Sequence, residues 1–380
     1  MCFLYIVFNI AAIPSFYYLY YSDSPPPTSH IVWNYVIRPT FLWETVHFFW
    51  FPLCLFISII NSIINSRLSD KIKGFNSLFK ENTNTAKLKD VRIILLLVML
   101  VGAAYGYYHQ LQPPHINEDK VAILDLNPEL EGFKIALISD LHYGRGQNLT
   151  ELAATMASAA TMRPDLVIMA GDLVDRKASF GSDFRIPLLI FREVPNGVFG
   201  VLGNHDLKVD SLENLVSNLR QTNLNILQNQ RVNLTNVPIT LIGFSDPGDQ
   251  AYKEEQDPPR RLPLEALSGP EPRSGDLLIV INHRPIAVPD AVKYGAGLYL
   301  AGHTHGGQIA FPWNAQLNLS SLLFGYSYTS GKYKVGNLTL YVTKGLSGGI
   351  PARLFAWPEI TILTLTTAPA VSATINSSAQ

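Results

Sequence analysis

The sequence predicts an α/β domain of two packed β-sheets flanked by helices, preceded by an all-α transmembrane segment. Two observations support this prediction. From about residue 115, short apolar runs of strand length alternate with helical and polar stretches. The first 110 residues are much more apolar than the remainder, in a chain of 380 residues of which 47% are hydrophobic and only 16% are charged.

Three apolar runs predict transmembrane helices, at about 3–21, 45–64 and 93–108. A bilayer-spanning helix needs about 20 apolar residues, and the runs reach or approach that length without amphipathic alternation. Buried helices of a soluble domain and a cleavable signal peptide are the alternatives. A signal peptide carries Lys or Arg before its apolar run, whereas the first basic residue is Arg38, so we interpret the segment as an uncleaved anchor.

The basic residues beside these runs predict the orientation of the chain. The 65–92 loop contains seven Lys and Arg residues, whereas the 22–40 loop contains only Arg38. Because Lys and Arg are retained on the cytoplasmic side, everything after about residue 112 is expected outside the cytoplasm. We therefore predict a multi-pass protein of the cell (inner) membrane, with an anchor at 1–112, an extracytoplasmic domain at 113–366 and a disordered tail at 367–380.

Seven apolar runs in the polar part of the chain predict strands, at 133–140, 165–172, 197–206, 277–283, 297–305, 337–345 and 359–366. Continuous apolar runs of this length are typical of strands buried on both faces. The stretches 150–161 and 210–221 predict helices, the first of them after an N-cap at Asn148. Two stretches are not assigned to strands or helices. The proline-rich, charged stretch 246–275 is interpreted as a surface insertion or a substrate lid, and 310–334 as a wall of a pocket or a membrane contact.

Composition excludes several classes of function. The formal net charge is −1, so no overall basic field favours nucleic acid. Only Cys2 and Cys54 occur, both in the apolar region, so the polar domain has neither a disulfide framework nor a cysteine-type zinc site. A metal ion there must be bound by His, Asp, Glu or Asn.

Five of the predicted strands end in side chains that can bind a metal ion. Their terminal motifs are Asp-x-His, Gly-Asp, Gly-Asn-His-Asp, a single His and Gly-His-x-His. In order these are Asp140 and His142, Asp172, Asn204 with His205 and Asp206, His283, and His303 with His305. One such motif alone is more often a polar surface turn, but five in succession at one edge of a sheet predict a metal centre.

These motifs, in this order, resemble the calcineurin-like metallophosphoesterase superfamily over roughly 133–366. The longer forms "SDLHYG", "GHTHGGQ" and "PARLFAWPEI" are similar to its membrane-attached bacterial branch, the YkuE/YaeI-type phosphodiesterases. The resemblance implies the sandwich of two sheets that is typical of the superfamily. The chain departs from the branch at Arg284-Pro285, where Asn-Pro is common, and this departure concerns substrate contacts.

The resemblance also implies the roles of the site residues. One metal ion would be bound by Asp140, His142, Asp172 and His305, and the second by Asp172, Asn204, His283 and His303. Asp172 would bridge two ions of Mn, Fe or Zn, and a hydroxide between them would attack phosphorus. His205 would protonate the leaving oxygen or contact the phosphate, with Asp206 orienting its ring. Arg284 and Arg353 are open between phosphate contacts and structural roles.

The predicted function is hydrolysis of a phosphodiester or phosphomonoester of a lipid or of the cell envelope. The partners are this substrate and a lipid bilayer, and no nucleic acid is expected. One alternative is a nucleotide-lipid pyrophosphatase that acts on UDP-diacylglucosamine, which requires a cytoplasmic active site. Another is a non-catalytic receptor or scaffold on the same fold, for which loss of ligands would be the signature.

Overall fold

The structure, a computed structural model, describes residues 84–144, 149–175, 184–249, 262–264, 267–348 and 352–368, with scattered residues between 38 and 59. The chain forms two compact units. Most of the described residues up to Leu111 belong to one unit, and nearly all of those from Gln112 onwards belong to the other.

The first unit contains a long apolar helix, α1, at Asn84–Gln110. Its part Arg92–Gln110 has a mean hydropathy of 1.5 and is the one helix among the described residues that is long and apolar enough to cross a membrane. The run predicted at 93–108 falls inside it. The run predicted at 3–21 lies outside the described residues. The run predicted at 45–64 and the loop at 65–92 lie partly outside them.

The second unit is built on two six-stranded sheets. The first sheet has the order β1-β14-β2-β3-β4-β5, in which β14 runs antiparallel to β2 and the other neighbours are parallel. Its strands are β1 His115–Ile123, β14 Glu359–Thr367, β2 Lys134–Ile138, β3 Leu166–Ala170, β4 Val198–Val201 and β5 Leu224–Ile226.

The second sheet has the order β12-β13-β9-β8-β7-β6, with antiparallel pairs at its two edges and parallel strands between them. Its strands are β12 Gly331–Val335, β13 Leu338–Val342, β9 Leu298–Ala301, β8 Leu277–Ile281, β7 Ile239–Gly243 and β6 Gln230–Asn233. A separate hairpin pairs β10 Ala310–Phe311 with β11 Asn314–Asn318.

The main core lies between the two sheets. Ile135 and Ile168 of the first sheet and Leu241, Ile279 and Leu300 of the second belong to one cluster of buried side chains. Residues that alternate with these face outwards and are also buried, because helices cover both outer faces. Burial on both faces explains why the central strands are continuously apolar.

Helices cover the outer faces of the sandwich. The α-helices are α2 Leu149–Thr161, α3 Arg185–Leu188, α4 Leu212–Arg220, α5 Val288–Lys293 and α6 Leu319–Phe324; 3-10 turns lie at Pro128–Leu130, Leu189–Phe191, Asp206–Lys208 and His305–Gly307. Leu152 and Met156 of α2 pack on the first sheet, and Val288 and Ala291 of α5 pack on the second. Ser211 accepts a hydrogen bond from the backbone N–H of Asn214 and caps the start of α4.

The predicted sandwich of two sheets with flanking helices is confirmed. The seven predicted strands correspond to β2, β3, β4, β8, β9, β13 and β14, and the two predicted helices to α2 and α4. The predicted N-cap Asn148 lies outside the described residues, as do 250–261 and 265–266 of the 246–275 stretch and residues 369–380 of the predicted tail. Strands β1, β5 to β7 and β10 to β12 were not predicted from the sequence. The edge strand β1, "HINEDKVAI", alternates between exposed and partly buried residues and lacks the continuous apolar run of a central strand.

Candidate metal centre

All seven predicted ligands follow the carboxyl ends of five parallel strands. Asp140 and His142 follow β2, Asp172 follows β3, Asn204 follows β4, His283 follows β8, and His303 and His305 follow β9. The first three of these strands belong to one sheet and the last two to the other. Packing of the two sheets therefore brings the ligands together from sequence positions more than 160 residues apart.

Asp172 lies at the middle of this group. Its Oδ2 atom is 3.6 Å from His142 Nε2 and 3.2 Å from His283 Nε2. Its Oδ1 atom accepts a hydrogen bond from the backbone N–H of His205 at 2.8 Å. His142 belongs to one set of candidate ligands, with Asp140 and His305, and His283 belongs to a second set, with His303 and Asp172 itself. This central position is compatible with the bridging role predicted for Asp172.

The orientation of His283 is set by its second ring nitrogen. Nδ1 lies 2.7 Å from the carbonyl oxygen of Ala170, and because that oxygen can only accept, Nδ1 carries the hydrogen. Nε2 is therefore the atom that faces Asp172. Metal-binding histidines are commonly fixed in this way by a carbonyl acceptor.

A positive charge on the His283 ring disfavours protonation of the neighbouring His303 ring. Their Nε2 and Nδ1 atoms are 3.3 Å apart. Burial lowers the pKa of His283, but the carboxylates of Asp172, Asp140 and Asp246 outweigh it and raise the pKa to about 10. Burial and the neighbouring His283 hold the pKa of His303 well below its ordinary value. A metal ion between the two rings would satisfy the carboxylates without protonating either ring.

The Asp140 side of the site is also short of positive charge. Its Oδ1 atom is 3.7 Å from His305 Nδ1, and both carboxylate oxygens accept from the backbone N–H of His303. Burial, opposed by His283 and reinforced by Asp172, raises the pKa of Asp140 to about 6. A bound cation would stabilise two buried carboxylates whose charges repel each other in this way.

Five of the seven predicted ligands have left-handed backbone conformations. Their φ angles lie between 47° and 71°, at Asp140, His142, Asp172, His303 and His305. Such conformations cost about 1–3 kcal/mol each for residues other than glycine. Strained backbone at the strand ends where these side chains converge is typical of a functional site.

The donor set fits a pair of divalent ions. Asn204 Oδ1 is buried and makes no hydrogen bond within the described part of the chain, although a buried amide oxygen without a partner is costly. Carboxylate, imidazole and amide ligands together suit Mn, Fe or Zn. A cation near Asn204 would satisfy this oxygen.

Glycines allow the ligand loops to approach each other closely. A Cβ atom at Gly203 would overlap the carboxylate and the backbone N of Asp172, and one at Gly302 would overlap Ser139 Oγ and the carboxylate of Asp140. No side chain larger than hydrogen fits at either position without displacing a candidate ligand.

His205, the predicted proton donor, contacts a partner that was not predicted from the sequence. Its Nδ1 atom is 2.6 Å from Asp175 Oδ1, whereas we predicted that Asp206 orients the ring. Asp206 instead accepts from the backbone N–H groups of Val174 at 2.9 Å and Gly203 at 2.8 Å. Burial and the Asp172 charge raise the pKa of Asp206 to about 7. Asp175 is the second aspartate of "GDLVD" at 171–175, and this second acidic residue was the sequence signal that could have identified it.

A cavity of about 200 Å³ opens beside the second ligand set. Its lining includes Arg284, His303 and Tyr326. Arg284 Nε donates to Asp246 at 2.8 Å and Nη2 donates to Asp249 at 2.7 Å, so two carboxylates already compensate its charge. Arg353 is fully buried and donates to backbone carbonyls, including that of Ala356. Arg284 and Arg353 therefore both make structural contacts. The sequence had left each of them open between a phosphate contact and a structural role.

Comparison with known proteins gives a consistent result. The family profile described as "Calcineurin-like phosphoesterase" matches residues 133–307. An uncharacterized metallophosphoesterase of Helicobacter pylori strain 26695 is 30% identical, over 82% of this chain and 80% of its own length. Phosphodiesterase YaeI of Escherichia coli strain K12 is 27% identical, over 70% of this chain and 93% of its own length.

A vertebrate relative has a name that mentions a membrane. The "Transmembrane protein with metallophosphoesterase domain" of Bos taurus is 30% identical over 75% of this chain. The match spans about two thirds, 64%, of the length of that relative.

Proposed function

This chain belongs to the calcineurin-like phosphoesterase family, and we propose that it is a membrane-anchored, dinuclear enzyme acting on phosphate esters of a lipid or of the cell envelope. As a member of this family it is a metal-dependent phosphoester hydrolase. The observation that carries the dinuclear assignment is the position of Asp172 Oδ2, within 3.6 Å of one imidazole and 3.2 Å of another from opposite ligand sets.

The proposed ligands are the seven residues predicted from the sequence. Asp140, His142 and His305 would hold one ion, Asn204, His283 and His303 would hold the other, and Asp172 would contact both. When bound, two divalent ions would supply activated water near neutral pH and would neutralise charge on the phosphoryl oxygens. The neutral imidazoles and the amide keep the site from repelling an anionic substrate.

His205 is proposed to transfer a proton to the leaving oxygen. Asp175 engages its Nδ1 atom at 2.6 Å, which fixes the ring and assigns Nε2 to the substrate. About a fifth of the His205 side chain is exposed, so the ring can meet a substrate at the surface. Asp206 acts as a positioning residue, because its two backbone hydrogen bonds join the loops that carry Asp172 and Asn204.

The anchor and its orientation are also proposed. The helix Arg92–Gln110 and the name of the bovine relative support attachment to a membrane. The excess of Lys and Arg in 65–92 supports an extracytoplasmic catalytic domain over 113–366, behind an anchor over 1–112. A periplasmic-only reporter fused after residue 380 should be active; activity of a cytoplasmic reporter instead would favour the nucleotide-lipid pyrophosphatase.

The test of the reaction uses the full chain purified in detergent. Hydrolysis of bis(p-nitrophenyl) phosphate and p-nitrophenyl phosphate should disappear after chelation and return with Mn²⁺, Fe²⁺ or Zn²⁺. Asp172→Asn should abolish it, since the amide cannot contact two ions with the charge of a carboxylate. The exposed control Asp125→Asn should keep wild-type activity. Metal-dependent hydrolysis that survives in Asp172→Asn would contradict the dinuclear assignment.

A further inference from the structure

A segment beside the metal centre exposes an unusual number of large apolar side chains. We call Ile309–Phe324 the apolar hairpin; it comprises β10, β11 and α6. Trp313 is 76% exposed, Leu322 is 61% exposed and Leu323 is 56% exposed. Ile309, Phe311 and Leu317 are also exposed. The rings of Phe311 and Trp313 lie 5.3 Å apart, and exposed apolar side chains grouped in this way mark an interaction site.

The same part of the chain carries no charge. Between His305 and Lys332, residues 306–331 contain no Asp, Glu, Lys, Arg or His. At the overall charged fraction of 16%, a stretch of this length would contain about four charged residues. Exposed segments in water usually carry charges, so the surroundings of this segment are expected to be apolar or interfacial.

The exposure of the apolar hairpin is built into the structure. Asn318 is fully buried; it forms a capping box with Ser321 at the start of α6, and its Nδ2 donates to Thr329 Oγ1 at 2.6 Å. The backbone N–H of Leu319 donates to the carbonyl of Ile309 at 2.8 Å. These buried polar contacts hold the segment in one conformation while its apolar side chains face outwards.

The apolar hairpin is also joined to the ligand loop. A Cβ atom at Gly307 would overlap the side chain of Asn318, so the backbone of Gly307 is in close contact with that side chain. Thr304, which lies between His303 and His305, donates its hydroxyl to the carbonyl of Thr329 at 2.6 Å. A surface that binds through the hairpin therefore lies next to the candidate metal centre.

We propose that the apolar hairpin docks onto the surface of a lipid bilayer. Trp, Leu and Phe without charges are the side chains that enter the boundary between head groups and acyl chains, to a depth of about 5–10 Å. Trp in particular is enriched at that boundary. A bilayer is the partner that the chain itself provides, because only residues 111–114 separate the candidate span, which ends at Gln110, from β1, which begins at His115.

Docking would present the active-site cavity to phosphate groups at the bilayer surface. Gly325 and Tyr326, which line the cavity, follow α6 directly. A phosphate ester in a lipid head group could then reach the ligands without leaving the membrane. The docking itself depends only on the exposed residues, whereas this use of it rests on the proposed function.

The test compares two single labels of equal exposure on the full chain. In a Cys2→Ser, Cys54→Ser background, Leu322→Cys and Ile186→Cys are labelled with bimane and reconstituted in phosphatidylcholine–phosphatidylglycerol vesicles. Leu322 and Ile186 are both 61% exposed, but Ile186 follows the charged Arg185 in α3. Acyl chains that carry a nitroxide should reduce the fluorescence at Leu322→Cys and leave Ile186→Cys unchanged, and iodide in water should do the reverse.

Two results would overturn the docking. One is equal quenching of both labels by the lipid nitroxide and by iodide. The other is protection of the Leu322→Cys label from both quenchers, which would mean that a second copy or another protein covers the hairpin. Hydrolysis of bis(p-nitrophenyl) phosphate by the same labelled samples reports separately on the proposed reaction, so that either idea can fail alone.

Discussion

His205 and Asp175 face each other across two loops, with His205 Nδ1 2.6 Å from Asp175 Oδ1. Asp175 comes from the loop after β3, and His205 from the loop after β4. The adjacent residue Asp206 turns away from the ring and accepts from two backbone N–H groups. The two aspartates therefore divide two tasks, orientation of an imidazole and attachment of one loop to the other.

This division predicts coupled effects on catalysis. His205→Gln should lower kcat by about 10²-fold or more because general acid catalysis is lost. Asp175→Asn should lower kcat by a smaller factor, since it acts through the ring. The double variant should match His205→Gln alone in steady-state assays of bis(p-nitrophenyl) phosphate hydrolysis. Independent, multiplying effects would show that Asp175 does not work through His205.

Asp206→Asn should lower the stability of the folded chain more than it lowers kcat. The amide has one carbonyl oxygen for two buried N–H donors, Val174 and Gly203, and a buried donor without a partner costs about 1–3 kcal/mol. The Tm of the full chain should fall by several degrees, whereas the exposed control Asp125→Asn should leave it unchanged. A loss of kcat with an unchanged Tm would instead support a direct catalytic role of Asp206.

Gly203→Ala should weaken metal binding. The added methyl group overlaps the carboxylate and the backbone N of Asp172, which must move from its position between the two ligand sets. The matched control is Gly297→Ala, whose methyl group would lie 2.6 Å from the flexible end of Leu277 and away from the candidate ligands. Titration calorimetry with Mn²⁺ should show reduced affinity for Gly203→Ala only. Equal affinities in the two variants would show that metal binding does not require the absence of a side chain at Gly203.

Asp249 should contribute stability that depends on pH. Burial raises its pKa, but hydrogen bonds from Lys208 and Arg284 outweigh burial and hold the pKa below its ordinary value. Because folding favours the ionised form, the contribution is present above the pKa of the unfolded state and is lost as pH falls through the folded-state pKa. The difference in free energy of unfolding between wild type and Asp249→Asn should therefore shrink on acidification in urea titrations. A difference independent of pH would exclude these ion pairs as its source.

The sequence by itself determined the candidate ligands and the strands that carry them. Each ligand follows a continuous apolar run, and a strand buried on both faces requires such a run whatever its neighbours are. The order of the motifs was also sufficient for the family, because five strand ends with metal-binding side chains seldom occur together by chance. Edge strands such as β1 were not predicted, because their exposed faces accept polar residues that interrupt the apolar pattern.

Tertiary structure decided which side chains meet. Asp175 and Asp206 are equally plausible partners of His205 by residue type, and only the facing of two loops from neighbouring parallel strands selects Asp175. Arg284 follows a candidate ligand in the sequence, yet Asp246 and Asp249, more than 30 residues away, hold its guanidinium. Contacts between distant residues depend on how the sheets pack, and local periodicity carries no information about that packing. The burial of Asn318 beside the exposed side chains of the apolar hairpin is likewise a tertiary feature, which the apolar sequence around it does not reveal.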